Sequence, residues 1–458
     1  MRNRRRFFAG WVAFWAISVY FIRTTYRKQR FSIADKMSLF PAHRSLADLI
    51  AGRSDRINWK RNLAIVWTGQ LLAMCGTGFA FPFIPLYIRD KFGIADEVQR
   101  GVYVAAFQFF GMISFCFSSP IWGTLGDRYG RKLMLLRAYF LNGITMPLLM
   151  AAPNVYWLIF LRFVVSCFSG TNSAAQALVV STTPKEKHGF VLGMLSAAFW
   201  SGDVLGLLGG GLVVHYFGYT IAFFVCGALF LLGGFLMLFG VDENFTPRSK
   251  NAAGAKRTPI SEFFTPGLLL LLVLLAAVSL ARRFDAPFVP MLVEQIDGVE
   301  RAVLDTGFIS ALAGVGGILS GLVIGSLSDR FPAWALALPM LLVAALSTFV
   351  EGASTSIGVL AAARFLTYFA VGAIEPVLLT TISRITSPAH RGAALGWSAS
   401  VRILGGVIGA GISGLIVARF RTRGVFFSAG IMLLALAPIS VALFRSRFIL
   451  SRLGAKQE

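Results

Sequence analysis

The chain has 458 residues, 56% of them hydrophobic and only 14% charged, where an ordinary soluble protein carries about 25% charged residues. Repeated apolar stretches of about 20 residues have the length a helix needs to cross a bilayer, and because they are continuous instead of alternating they exclude a transmembrane β-barrel. The net charge of +22 would point to nucleic acid in a soluble protein, but the basic residues crowd loops and tails as the positive-inside rule requires, so no nucleic-acid partner is expected.

The first 57 residues stand apart. "RNRRR" precedes sixteen uncharged residues, 7–22, and "RTTYRKQR" follows them. This stretch is short for a span, apolar on every side and without a small-residue cleavage site, so neither a surface amphipathic helix nor a secretory signal fits. An extra helix, a membrane-dipping anchor and an extension ahead of a start at Met37 are left, and a non-essential extension is the favoured reading. Six apolar runs follow, near 62–88, 101–123, 132–151, 156–180, 188–214 and 220–240. After the polar, Pro/Gly-punctuated divider "DENFTPRSKNAAGAKRTPISEFF" (242–264) come six more, near 265–292, 303–327, 332–350, 356–382, 391–418 and 424–444.

The expected organisation is an N-terminal extension (1–57), a six-helix bundle (58–241), a cytoplasmic linker (242–264), a second six-helix bundle (265–446) and a cytoplasmic tail (447–458). Loops at 124–137, 181–189, 241–264, 328–331 and 384–391 hold most of the loop cations, whereas those at 151–156, 215–219 and 351–355 hold none. The loops at 89–100 and 419–423 are exceptions, with three cations each. This pattern predicts that both ends of the twelve-helix body are cytoplasmic. Cys75, Cys116, Cys167 and Cys226 each lie alone in an apolar stretch, and neither CxxC nor HExxH occurs, so no disulfide framework, metal or cofactor is expected.

The two halves repeat one another. "GTLGDR" (123–128) recurs as "GSLSDR" (325–330) and "RFVVSCFSG" (162–170) as "RFLTYFAVG" (364–372), both 202 residues on. "GFVLG" (189–193) pairs with "GAALG" (392–396) and "AFFVCG" (222–227) with "VFFSAG" (425–430) at 203, and "PFIP" (82–85) with "PFVP" (287–290) at 205. A duplicated six-helix unit is how many secondary transporters are built, with the substrate site near the midplane between the repeats.

The stretch "WGTLGDRYGRKLMLLR" (122–137) concentrates charge and glycine between two apolar runs. It lacks the GxxxxGK[ST] spacing and the strand context of a phosphate-binding loop. Topology explains Arg128, Arg131, Lys132 and Arg137, but not Asp127 or Gly123, Gly126 and Gly130. "GTLGDRYGRK" resembles the signature loop between helices 2 and 3 of the major facilitator superfamily, Gly-x-Leu-x-Asp-Arg-x-Gly-Arg-Lys/Arg, at every fixed position. The resemblance extends from about 58 to 444. "NWKRNL", "FIPLYI", "GRKLMLLR" and "ENFTP" resemble the drug:proton antiporter branch, in particular the bacterial MdtG-like efflux proteins. That branch carries a Gly-Pro motif on helix 5, where this chain has Leu207 in place of the proline.

The resemblance implies a twelve-helix transporter of two pseudo-symmetric bundles in a bacterial inner membrane. It implies that Asp127 and Arg131 form a charge latch between the bundles that holds the outward-facing state, against the start of helix 11 at Arg391. The second copy keeps Asp329 and Arg330 but lacks the Gly-Arg-Lys tail. It also implies that helices 1, 4, 7 and 10 line a central cavity, which makes Arg162, Arg364, Arg282 and Arg283, with Arg402 on helix 11, candidates for substrate binding or proton coupling; the alternative for Arg162 and Arg364 is that they are structural arginines near the outer ends of their helices.

Small residues recur every four positions at Gly202, Gly206 and Gly210 on helix 5, at Gly405, Gly409 and Ser413 on helix 11, and at Gly317, Gly321 and Gly325 on helix 8. Such spacing allows close backbone approach, as static packing or as sliding surfaces. Charges inside apolar runs cost about 2.5–3.5 kcal/mol or more at the bilayer centre and usually face a partner or a wet cavity. Helix 10 carries Arg364 and Glu375, and Arg162 on helix 4 is the repeat equivalent of Arg364. Helix 7 carries Arg282, Arg283 and Asp285, with Asp285 expected to neutralise one of the two arginines or to serve the transport path. Glu375, with no cation on its own turn, is the first candidate for proton coupling; Asp203 on helix 5, opposed by Arg402 on helix 11, is the second. The expected protein is a non-enzymatic, monomeric secondary transporter of small molecules. A proton gradient is expected to drive efflux of drug-like or amphipathic compounds. The alternatives are a symporter or flippase for an anionic metabolite or lipid, and a transport-inactive sensor.

Overall fold

A computed structural model describes residues 58–243, 265–327, 331–372, 374–386 and 390–445. The N-terminal segment, most of the linker, the tail, Asp329 and Arg330 lie outside the described residues, as does the Arg391 side chain. Among the described residues every regular element is helical. Ten helices are long and apolar enough to cross a membrane: α1 (Trp59–Phe92), α2 (Glu97–Tyr129), α3 (Arg131–Ala151), α4 (Val155–Thr182), His188–Gly240, α7 (Pro266–Asp297), α8 (Ala302–Leu327), α9 (Ala333–Ala353), α10 (Ile357–Ile385) and Arg391–Phe444.

Two of these are too long to be single spans. His188–Gly240 and Arg391–Phe444 run 53 and 54 residues, roughly 80 Å of helix against about 30 Å of hydrocarbon. Each contains one non-helical residue, Gly218 in the first and Arg421 in the second. They therefore divide into α5 (188–217) and α6 (219–240), and into α11 (391–420) and α12 (422–444), which brings the spans to twelve.

Local chemistry explains several boundaries. Asn58, Asp96, Asn154 and Thr265 cap the starts of α1, α2, α4 and α7 by accepting the backbone N–H three residues on. The turn between α2 and α3 is a single residue, Gly130, whose φ of 106° favours glycine. The repeated Pro-Phe-x-Pro motifs fall in matching breaks, short 3₁₀ turns at Phe81–Phe83 in α1 and Ala286–Phe288 in α7. Proline suits such a break because it withholds a backbone donor and starts the helix that follows.

Within each half, α1 packs along α5 and α6, and α7 along α11 and α12. Across the halves, α2 meets α11 and α5 meets α8, at one end only. There Gly101 lies against Val417, and a Cβ at Gly307 would stand 2.8 Å from the carbonyl oxygen of Leu207. Towards the other end the close approaches between halves stop, among the described glycines, at Gly406 against Met112 and Gly314 against Val204, and Gly123, Gly189, Gly193 and Gly396 beyond them have open space. The molecule is a wedge, sealed at the end bearing residues 89–101 and 294–307 and open at the end bearing the signature loop.

Candidate functional site

Between the halves lies a cavity of about 340 Å³, lined from α1, α2, α5, α7, α8, α10 and α11. Much of its wall is apolar or aromatic, with Phe81, Phe107, Met112, Phe199, Trp200 and Tyr368. Its charged groups are Asp203 from the first half and Arg282, Arg283 and Arg364 from the second. The size and a few polar groups in an apolar wall are those of a small-molecule site.

The charged residues pair differently from expectation. Asp285 forms its ion pair with Arg364 on α10, not with Arg282 or Arg283, because α7 turns at its 3₁₀ break and points this carboxylate into its own half. Glu375 is held by cations from neighbouring helices: Arg282 at 3.2 Å and Arg402 at 4.0 Å, with the Ser279 hydroxyl donating at 3.0 Å. The carboxylate beside Arg402 is thus Glu375, and Asp203 makes no ion pair among the described residues. Arg282 also lies over the ring of Trp200 on α5, 5.4 Å from its centroid, a cation–π contact between the halves. Arg283 is exposed beside Gly406 and forms no ion pair among the described residues.

The repeat-related arginines have diverged. Arg162 lies over Phe81 and Phe107, 4.1 and 5.2 Å from the ring centroids, where Gly111 makes room for it, and it has no carboxylate partner among the described residues. Arg364 contacts Asp285 and, at 2.8 Å, Glu351 on α9. Glu351 was not legible as a site residue, since it is the third residue from the end of its helix, where a carboxylate is unremarkable.

At the open end, Asp127 and Arg128 are exposed, and Asp127 and Arg131 line a second cavity of about 270 Å³ inside the first half. Arg131 donates to the carbonyl of Ala177 at 3.0 Å, and Arg137 stacks on Trp122 at 3.7 Å. Asp127 makes no ion pair among the described residues, which do not include the Arg391 side chain. Lys132 is buried and its ammonium donates to the carbonyls of Leu238 and Val241 at the end of α6. Glu243, also unremarked in the sequence, accepts the backbone N–H groups of Arg131 and Lys132 at 3.0 and 2.8 Å. An anion on a helix N-terminus and a cation on a helix C-terminus complement the two dipoles, so part of the signature loop is a clamp within its own half.

The sealed end is closed by charge. Glu294 on α7 takes Arg89 at 3.0 Å and Arg100 at 2.8 Å from the first half. Glu97 on α2 accepts the Thr422 backbone N–H at 2.7 Å and faces Arg421 at 3.7 Å. The cations that broke the loop-charge pattern at 89–100 and 419–423 are in large part this seal.

The glycine stripes on α5 and α11 face their own halves. A Cβ at Gly202 or Gly206 would run into the carbonyls of Leu71 or Cys75 on α1, and one at Gly210 would stand 2.6 Å from Phe79 Cα. Gly405 and Gly409 meet Ala276 and Leu280 on α7 in the same way. On α8, a Cβ at Gly317 or Gly321 would meet nothing within 4 Å, so close packing does not explain those two.

A sequence profile of the Major Facilitator Superfamily matches residues 66–350 and 303–456. The chain belongs to that superfamily. Among relatives, the multi-drug resistance efflux pump PmrA of Streptococcus pneumoniae is 30% identical over 82% of this chain and 94% of its own. The multidrug resistance protein MdtG of Escherichia coli is 31% identical over 82% of this chain and 93% of its own. The same superfamily fold recurs in a bacterial homologue of the human lysosomal transporter Spinster in an inward-facing, unoccupied conformation, with a TM-score of 0.67 and 17% identity over 86% of this chain and 98% of that one. The inward-open xylose transporter XylE of E. coli gives 0.65 and 15% over 87% and 100%. This superfamily member is therefore an integral membrane protein of the transporter class.

Proposed function

We propose that this chain is a monomeric secondary transporter of a bacterial inner membrane that exports amphipathic or drug-like molecules in exchange for protons. The carrying observation is the central cavity, formed by both halves, closed at one end by inter-half ion pairs and open at the other. Rocking the halves about such a cavity gives alternating access. The open end carries the cation-rich loops, so it is assigned to the cytoplasm together with both ends of the helical body, and the present state is inward-facing. The aromatic wall suits the apolar part of a substrate, and Asp203, unpaired and beside Trp200, suits a cationic part. That the relative PmrA is an efflux pump supports export.

The test is ethidium efflux from proteoliposomes with and without an imposed pH gradient. Gradient-dependent ethidium movement is expected, with Asp203→Asn reducing it about tenfold, the equivalent of about 1.4 kcal/mol. A second reading, transport of an organic anion, is favoured by Arg283, which faces the cavity without a carboxylate of its own. Under that reading a fluorescent organic anion is carried instead, and Arg283→Ala abolishes its flux while sparing ethidium. A protein that binds either dye and moves neither would be a sensor.

A further inference from the structure

Glu351 and Asp285 share one cation. Glu351 has no exposed surface, Arg364 and Asp285 are 2% and 4% exposed, and the Nη1 group of Arg364 contacts both carboxylates. Among the described residues the surroundings add no further ion pair to the cluster. From α10, Thr367 reaches Glu351, and the Tyr368 hydroxyl lies 3.5 Å from Arg364 Nη2. Ser347 of α9 touches Thr367, while Arg423 at the start of α12 donates to the carbonyl of Gly352 and forms no ion pair with Glu351. On α7, Arg282 is engaged by Glu375. Two carboxylates on one guanidinium leave a net negative charge on side chains that are almost wholly buried, which is strongly unfavourable unless something neutralises it.

The hydrogen count points the same way. Thr367 Oγ1 lies 2.5 Å from Glu351 Oε1, 2.9 Å from Ser347 Oγ and 3.0 Å from the Ala363 carbonyl, and Ser347 Oγ lies 2.7 Å from the Val343 carbonyl. The two hydroxyls have two hydrogens for these four contacts, and a proton on Glu351, donated to Thr367 Oγ1, allows one more of them to be a hydrogen bond.

We propose that Asp285, Glu351 and Arg364 form a proton-binding site in the second half of the molecule, with the proton carried by Glu351 against Thr367. A void of about 10 Å³, room for one water, touches Arg282, Asp285, Thr367 and Tyr368. Arg282 and Tyr368 also line the central cavity, so a water in the void joins the cluster to it, and the proton arrives from and returns to hydronium there. The role of this site in transport rests on the proton-coupled reading above; its occupancy by a proton does not.

Infrared difference spectroscopy of the full-length protein in lipid nanodiscs, cycled between acidic and alkaline pH, tests the site. A protonated-carboxyl C=O band titrating reversibly is expected. Glu351→Gln removes one carboxyl's share of that band, and Asp285→Asn removes the same share, because one guanidinium then balances one carboxylate. In a Glu375→Gln background the loss caused by Glu351→Gln is still seen, whatever Glu375 itself contributes to the band. Retention of the full band in either Glu351→Gln or Asp285→Asn overturns the shared site, and if Glu351→Gln does not fold, Asp285→Asn decides alone. A wild-type protein that keeps the titrating band yet moves ethidium regardless of a pH gradient overturns the proton-coupled function and leaves the site standing. Absence of the band overturns the site whatever the flux.

Discussion

Arg282 does three things at the cavity: it pairs with Glu375, lies over Trp200 of the opposite half, and borders the central space. Protonating or neutralising Glu375 would release this guanidinium to rearrange against Trp200, which is the kind of differential contact a moving carrier needs. Glu375→Gln should therefore lower gradient-driven ethidium efflux at least tenfold, about 1.4 kcal/mol, while protein yield and elution profile stay as in wild type. Wild-type flux would remove Glu375 from the coupling path. Glu375, Asp285, Asp203 and Arg364 were legible from sequence because charge inside an apolar run is expensive and so announces itself. Glu97, Glu243, Glu294 and Glu351 sit at or near helix ends, where charge is cheap. Only their partners give them meaning, and Arg100 and Glu294 are 194 positions apart. Pair assignment failed for the same reason: spacing along one helix says nothing about which cation a neighbouring helix presents.

Among elements, the apolar runs corresponded well to spans because hydropathy and length are local properties. The break between α5 and α6 falls inside the loop expected at 215–219, although "HYFGY" is barely polar and a single residue, Gly218, makes the turn. Arg421 makes the matching turn in the second half with φ 59° and ψ −173°, a region that glycine alone occupies at ease. Strain there costs on the order of 1–3 kcal/mol. Its ion pair with Glu97 is made by a side chain that is 75% exposed and returns little. Arg421→Gly should thus stabilise the protein by about 1 kcal/mol in thermal unfolding; a lower melting temperature would show that the ion pair outweighs the strain. The α5 stripe behaves oppositely. Gly206→Val would force α5 off the Cys75 backbone and should cost at least about 2 kcal/mol, whereas Gly193→Ala, with open space before it, should stay within about 0.5 kcal/mol. Equal losses from both would refute the packing role.

For the whole molecule, the question is what holds the wedge shut at one end. In the present state the seal contributes Glu294 with Arg89 and Arg100, and Glu97 with the Thr422 N–H. All of these cross between the halves, so none can persist once that end opens. Hydrogen bonds to charged groups are worth about 1.5–3 kcal/mol each, and Glu294 and Glu97 have side chains only 14% and 21% exposed, which limits screening by water. Replacing both by glutamine removes an interaction that exists in one state and not in the other, and only such differential interactions shift a conformational equilibrium. A change of about 3 kcal/mol turns a ratio of roughly 100:1 into near parity. Spin labels at the exposed positions Lys91 and Glu300, one in each half at the sealed end, should report a single short separation in the parent protein. In Glu97→Gln/Glu294→Gln a second, longer separation should appear in comparable amount. The signature loop should act with the opposite sign: if Asp127 latches the other state, as the resemblance implies, Asp127→Asn should leave the short separation alone and impair transport. A double variant with an unchanged separation would mean that the apolar contacts at Gly101, Val417 and Gly307 hold the end closed by themselves, with the ion pairs only decorating it.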